Sequence, residues 1–238
     1  MGSIVARILK KLLNRPFYPI EKLICLIRSG YLSFRYVDKG NGRIEIMEPF
    51  VRFKVYKDKG AILVLYGKFR VSSHLHGKAL SKLILKGGSV MEVNGDFIIG
   101  HGVTIFLSKN SFLKLGGRLL ESDSGITADT LIMVERKIEI GTDFLCAWNV
   151  FISDSDWHYI IGQDHQKDVI IGDHVWVANN SSVLKGAVIP QNCIVASHSK
   201  VTGRNFTVGS MLAGIPAKTV KEDVSWSRDI PADSTKDI

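Results

Sequence analysis

Residues 171–201 read IGDHVWVANNSSVLKGAVIPQNCIVASHSKV, and this stretch decides the fold. An aliphatic residue stands at every sixth position without interruption: Ile171, Val177, Val183, Ile189, Val195 and Val201. The fifth position of each hexad is small or β-branched: Val175, Ser181, Ala187, Cys193 and Ser199. A lone strand has a period of two and a helix a period of 3.6. A period of six therefore predicts short flat strands that meet at corners, three to each coil of a solenoid.

The same phase recurs upstream at Ile140, Cys146 and Ile152. Ile152 and Ile171 are 19 positions apart, which is not a multiple of six. We therefore expect residues 158–170 to leave the coil as an excursion loop. Loops that interrupt a rigid repeat are frequent sites of binding and catalysis.

The chain divides into three parts by pattern. In residues 3–15 the apolar side chains follow a helical period and Arg7, Lys10 and Lys11 lie opposite them, which predicts a basic amphipathic helix. A second short helix is expected over 20–29, ended by Gly30. We predict a basic helical segment over 1–42, a β-helix domain over 43–212 and a C-terminal tail over 213–238. Two interpretations of residues 1–30 stay open: contact with an anionic membrane, or packing on the domain or another subunit.

Composition and charge exclude several classes of protein. The 238 residues carry 31 Lys and Arg against 23 Asp and Glu, a net charge of +8, and most of that excess lies in the first 30 residues. No nucleic-acid partner is expected, because the terminal excess has no interleaved aromatic residues. Three cysteines at no ligand spacing predict neither a disulfide framework nor a zinc site. With no run of ~20 apolar residues and no signal peptide, we expect a cytoplasmic protein, at most peripheral to the inner membrane.

Three segments resemble the hexapeptide-repeat acyltransferases: residues 171–177, residues 183–189 (VLKGAVI) and residues 213–218 (AGIPAK). Residues 154–158 (DSDWH) are similar to the segment that bears the catalytic histidine in the branch acetylating bacterial sugars and surface polysaccharides. Residues 218–226 are similar to the end of capsular and polysialic acid O-acetyltransferases. The resemblance implies an all-β, left-handed parallel β-helix, a homotrimer with sites between adjacent β-helices, acetyl-CoA as co-substrate and a glycan or sugar acceptor.

Transfer of an acetyl group to an alcohol requires a base that removes the hydroxyl proton, and a histidine meets that need near neutral pH. His158 is the predicted general base, and Asp156 or Asp154 is predicted to orient its ring. Asp154 and Trp157 are also candidate acceptor contacts. His165 and His174 are weaker candidates.

The resemblance also implies binding residues. Trp148 and Asn149 are similar to an aromatic-asparagine pair that contacts the sugar acceptor. The acetyl-CoA contacts of the family correspond to Trp176, Ser197, Thr202, Lys218 and Lys221. Ser197 departs from the usual small apolar residue, and Gly203 and Arg204 replace a lysine-acid pair. No metal is expected.

The predicted function is acetyl-CoA-dependent O-acetylation of a bacterial surface polysaccharide or its precursor. A cysteine nucleophile competes, but Cys146 and Cys193 fall on inward positions of the repeat, where they act as small hydrophobes. The alternatives are N-acetylation of a nucleotide-linked amino sugar, a γ-type carbonic anhydrase and a non-catalytic trimeric scaffold. The carbonic anhydrase is disfavoured because the histidines lack its His-x4-His spacing.

Overall fold

A computed structural model describes residues 17–117, 124–203 and 205–229. In these residues it contains one helix, α1 (Tyr18–Tyr36), a 3₁₀ turn (His74–His76) and 22 strands. The helix predicted over 3–15, Arg204 and residues 230–238 of the predicted tail lie outside the described residues.

The strands form three sheets. Sheet I holds, in order, β1 (Arg43–Ile46), β4 (Lys68–Val71), β7 (Phe97–Ile99), β10 (Gly125–Ala128), β13 (Leu145–Trp148), β16 (Trp176–Val177), β19 (Ile194–Val195), β21 (Met211–Gly214) and β22 (Ala217–Lys221). Sheet II holds β2 (Phe53–Lys57), β5 (Ser81–Leu85), β8 (Thr104–Leu107), β11 (Leu131–Val134), β14 (Phe151–Ser153), β17 (Ser182–Val183) and β20 (Lys200–Val201). Sheet III holds β3 (Ile62–Leu65), β6 (Val90–Asn94), β9 (Phe112–Gly116), β12 (Lys137–Ile140), β15 (Val169–Ile171) and β18 (Val188–Ile189).

Up to β20, consecutive strands belong to different sheets, and each strand up to β17 pairs in parallel with the strand of the next coil. Three strands therefore make one coil, and the coils stack along one axis. This arrangement confirms the predicted all-β parallel β-helix. The last two strands, β21 and β22, form an antiparallel pair in sheet I. The corners between the sheets are named here I–II, II–III and III–I.

The hexad residues line the interior, one per sheet. Ile171 of sheet III stacks on Ile189, Val177 of sheet I on Val195, and Val183 of sheet II on Val201. All six are at most 2% exposed. The small residues at the fifth positions are buried as well, because a corner leaves little room between stacked coils.

The first coils have strands of four or five residues, whereas the last coils have strands of two. The longer sides of the first coils enclose larger interior side chains. The rings of Phe69 and Phe97, for example, stack with centroids 6.4 Å apart. These coils show a period of two instead of six, as in Ser81–Leu85, where alternate residues are buried. The hexad pattern therefore misses them, although the same stacking builds them.

Helix α1 covers the open edge of the first coil. The backbone N–H groups of Ile44 and Ile46 donate to the hydroxyls of Ser33 and Ser29 at 3.0 and 2.9 Å. These N–H groups would otherwise remain unpaired on the edge strand β1. Arg28 adds hydrogen bonds to the carbonyls of Pro49 and Val51.

The helix runs to Tyr36, so the prediction that Gly30 ends it is wrong. Gly30 is exposed, and an added Cβ there would meet no atom within 4 Å. The contacts of Ser33 and Leu32 with the first coil continue beyond it and hold the last turns helical.

Candidate active site

The excursion loop leaves the coil after β14 and returns at β15. Its two limbs are paired: Ser155 bridges Gln166 in antiparallel fashion, and the Asp156 N–H donates to the His165 carbonyl at 2.8 Å. The loop therefore occupies residues 154–168 as a hairpin at corner II–III. It begins and ends slightly earlier than the predicted 158–170, because Val169 already pairs with Ile138.

His158 is exposed near the tip of this hairpin. It lines an open depression of about 420 Å³ with Glu135, Ser155, Trp157, Tyr159 and His165. Within the described part of the chain, its ring has no hydrogen-bond partner. An exposed, unengaged imidazole at the rim of a depression can approach a substrate hydroxyl.

Trp157, directly before His158, has a φ of 62°, which is unusual for a bulky residue. Three contacts hold it there. Its N–H donates to Ser155 Oγ at 3.1 Å, its Nε1 donates to Ser153 Oγ at 2.9 Å, and its ring meets Phe106 edge-on at 5.6 Å. Strained backbone that the surroundings hold in place is common at functional sites.

Asp154 is fully buried at the root of the loop. Its carboxylate accepts hydrogen bonds from the backbone N–H groups of Glu135, Arg136 and Lys137 at 2.6–2.8 Å. Burial raises the pKa of this carboxyl above its ordinary value, and the three N–H donors oppose that shift. Because both oxygens bind the preceding coil, they do not contact His158.

Asp156 pairs with Lys185, a corner residue of the next coil. The Lys185 ammonium also donates to the Asp164 carbonyl at 2.6 Å, so it ties both limbs of the loop together. In the protomer, the imidazole-orienting contact predicted for Asp154 or Asp156 is therefore not formed. Asp154 is occupied by the corner backbone and Asp156 by an ammonium.

Sequence reasoning missed Glu135 and Lys185. Glu135 supplies a carboxylate to the depression around His158, and Lys185 clamps the loop. They lie in the coils before and after the loop, so only the stacking of coils brings them near it. No motif in the sequence marks either residue.

A second group of predicted residues lies at corner I–II. Trp148 and Asn149 are exposed there, and Asn149 Nδ2 donates to Asn180 Oδ1 of the next coil at 2.5 Å. One coil further, Ser197 Oγ donates to Asn179 Oδ1 at 2.8 Å. Lys218 follows in β22, paired with Ala213 at the end of the last coil. Predicted acceptor and cofactor residues thus share one edge of the β-helix.

The remaining predicted contacts are spread more widely. Thr202 follows β20 at corner II–III, Lys221 lies at the far end of β22, and Trp176 lies on the outer face of sheet I. The Trp176 ring is 6.0 Å from Trp226 of the C-terminal segment. His158 and Asn149 lie at opposite edges of sheet II, so one protomer does not bring them together.

The cysteines are not placed for nucleophilic catalysis. Cys25, Cys146 and Cys193 are all buried. Burial raises the pKa of the Cys146 thiol to about 12, so it carries almost no thiolate near neutral pH.

A parallel β-helix interrupted by a histidine-bearing hairpin is typical of the hexapeptide-repeat acyltransferases. No family model matches the chain. A polysialic acid O-acetyltransferase from Neisseria meningitidis is 33% identical over 154 residues, covering 62% of this chain and 70% of that protein. An uncharacterized 24.8 kDa protein in the cps region of Klebsiella pneumoniae is 29% identical over 202 residues, covering 82% and 85%. The solved structure of the polysialic acid O-acetyltransferase OatWY aligns with a TM-score of 0.43 at 20% identity, over 83% of this chain and 94% of that one.

The chain belongs to the family of bacterial O-acetyltransferases that includes the Neisseria meningitidis enzyme. It is therefore an acyltransferase that requires an acetyl donor.

Proposed function

We propose that this protein transfers the acetyl group of acetyl-CoA to a sugar hydroxyl of a bacterial surface polysaccharide or its precursor. The observation that supports this most strongly is the paired hairpin that presents His158 at the rim of a depression. The similarity to a polysialic acid O-acetyltransferase supports the acceptor class.

In the proposed reaction His158 removes the proton from the acceptor hydroxyl as the oxygen attacks the thioester carbonyl carbon. A tetrahedral intermediate forms and then collapses with cleavage of the carbon–sulfur bond. The leaving CoA sulfur takes the proton from His158, so the base returns to its starting state. The reaction needs no acyl-enzyme, in keeping with three buried cysteines.

The binding residues keep their proposed roles, with the exception of Asp154. Trp148 and Asn149 contact the acceptor together with Trp157 at the loop root, whereas the buried Asp154 carboxylate is occupied by the backbone of residues 135–137. Trp176, Ser197, Thr202, Lys218 and Lys221 bind acetyl-CoA, with the two ammonium groups near its phosphates. Asp156 positions the loop of His158 through its pair with Lys185.

A homotrimer is part of the proposal. His158 and Asn149 lie at opposite edges of sheet II, so a site that uses both needs the loop of one protomer beside corner I–II of another. The hairpin tip is suited to such a contact because Tyr159, Ile160 and Ile161 are exposed apolar residues. The enzyme is proposed to work in the cytoplasm, with residues 1–30 as a peripheral contact to the inner membrane.

The test is release of CoA from acetyl-CoA, followed with a thiol reagent, against bacterial polysaccharides, small sugars and nucleotide-linked amino sugars. His158→Ala is expected to lower kcat at least 100-fold, the lower range for loss of a general base. His165→Ala, in the same depression, is the matched control and is expected to stay within about threefold of wild type. Transfer only to amino sugars would favour the N-acetyltransferase alternative. A folded His158→Ala protein with full activity overturns the base assignment.

A further inference from the structure

The surface of α1 that points away from the β-helix is apolar. Ile20, Leu23, Ile27, Tyr31 and Phe34 form a stripe at helical spacing, called here the outer face of α1, and each is 56–92% exposed. The opposite side, with Cys25, Ser29 and Leu32, is buried against the first coil. A helix on a globular protein ordinarily shows the reverse arrangement, with its charged residues outermost.

The outer face carries no charged residue. Arg35 borders it, whereas Lys22 and Arg28 lie toward the first coil, where Arg28 donates to the carbonyls of Pro49 and Val51. The first 36 residues hold seven basic residues and one acidic residue. An exposed apolar helix face within a strongly basic segment is the pattern of a helix that lies in the interface of an anionic bilayer.

The direction of the outer face follows from the hydrogen bonds between α1 and the edge strand β1 of the first coil. The Ile44 and Ile46 N–H groups that donate to Ser33 and Ser29 point along the β-helix axis, away from the second coil. Helix α1 therefore lies beneath the first coil, and its outer face points along the axis. With strands about 4.8 Å apart, the His158 loop lies roughly 20 Å further along that axis.

We infer that the outer face of α1 docks on an anionic phospholipid surface, so that the β-helix stands upright with its catalytic loop above the headgroups. This deepens the peripheral contact of the proposed function and rests on it for its biological meaning. Pairing with a second copy is disfavoured, because it would bring together two N-terminal segments that each hold seven basic residues and one acidic residue. In a trimer of side-by-side β-helices, the three outer faces lie at one end and fit one plane.

The test is co-sedimentation of the full-length protein with vesicles of phosphatidylcholine containing 30% phosphatidylglycerol at low salt. Wild type is expected to bind at least tenfold more tightly than to pure phosphatidylcholine. The variant Ile27→Ser/Phe34→Ser is expected to lose at least tenfold in vesicle affinity. The matched control Ile170→Ser/Val208→Ser removes two exposed aliphatic residues of the β-helix and is expected to bind like wild type.

Three results overturn the inference. If the wild-type protein does not bind anionic vesicles, a lipid surface is not the partner of α1. In that case, a lower thermal stability of Ile27→Ser/Phe34→Ser indicates that another part of the same chain covers the outer face of α1. A drop in oligomeric mass in that variant indicates a second copy as the occupant. Equal vesicle binding by both variants places the contact elsewhere. The acetyl-transfer assay, which measures CoA release with a water-soluble acceptor, contains no vesicles. It therefore tests the proposed function independently of membrane binding.

Discussion

Asp154 shows how a single residue connects the catalytic loop to the scaffold. It lies at the first position of the loop, yet its carboxylate binds the backbone of the preceding coil at residues 135–137. Glu135 and His158 face the same depression on either side of this contact. Asp154 therefore sets the position of the loop relative to the coil beneath it.

We expect Asp154→Asn to lower the free energy of unfolding by about 1–3 kcal/mol, because an amide cannot accept all three N–H bonds. Urea unfolding of wild type and Asp154→Asn measures this difference in the free energy of unfolding. A variant as stable as wild type would contradict a structural role for the three N–H bonds.

At the scale of elements, the segment after β22 fastens two coils together at corner III–I. The Trp226 ring stacks on His174 at 4.1 Å with an interplanar angle of 8°, and its Nε1 donates to the His174 carbonyl at 3.0 Å. His174 Nδ1 lies 2.5 Å from Asp143 Oδ2, and Arg228 pairs with Asp143 at 3.2 Å. His174, a weaker catalytic candidate from sequence, is thus engaged in structural contacts.

Trp226→Ala is expected to lower the free energy of unfolding by about 1–2 kcal/mol, through loss of the stacked ring and one hydrogen bond. Trp226 also lies beside Trp176, so the KM for acetyl-CoA should rise if Trp176 lines that site. Trp226→Phe keeps the stacking and should recover part of the stability, and Ser227→Ala on the same segment should change little. Unchanged stability in Trp226→Ala would show that the segment is not fastened to the coils.

At the scale of the whole molecule, the proposed site needs residues from two protomers. Light scattering is expected to give a mass near three times the chain mass of 26.4 kDa. Ile160→Ser/Ile161→Ser, at the exposed hairpin tip, should weaken assembly and lower transfer together, because burial of those side chains drives the contact. Val208→Ser, exposed outside the loop, is the control. A fully active monomer would contradict a site shared between protomers.

The sequence by itself determined the solenoid, its phase and the place of the loop. Each side of the later coils needs one large aliphatic residue that points inward, at a spacing of six. The spacing of Ile171, Val177 and Val183 therefore predicts three strands without any other information. The motif at 154–158 likewise locates the loop that carries His158. The earlier coils, at Ser81–Leu85 for example, keep only the alternation of ordinary strands, and their coil length is not encoded locally.

Only the tertiary structure decided which groups meet. Glu135, Asp154 and Lys185 belong to three different coils, and stacking along the axis makes them neighbours at one corner. The continuation of α1 past Gly30 also depends on a distant partner, because Ser33 binds the backbone of β1. Contacts between coils join residues that are distant in sequence, so local periodicity predicts the coil but not the pairings across coils.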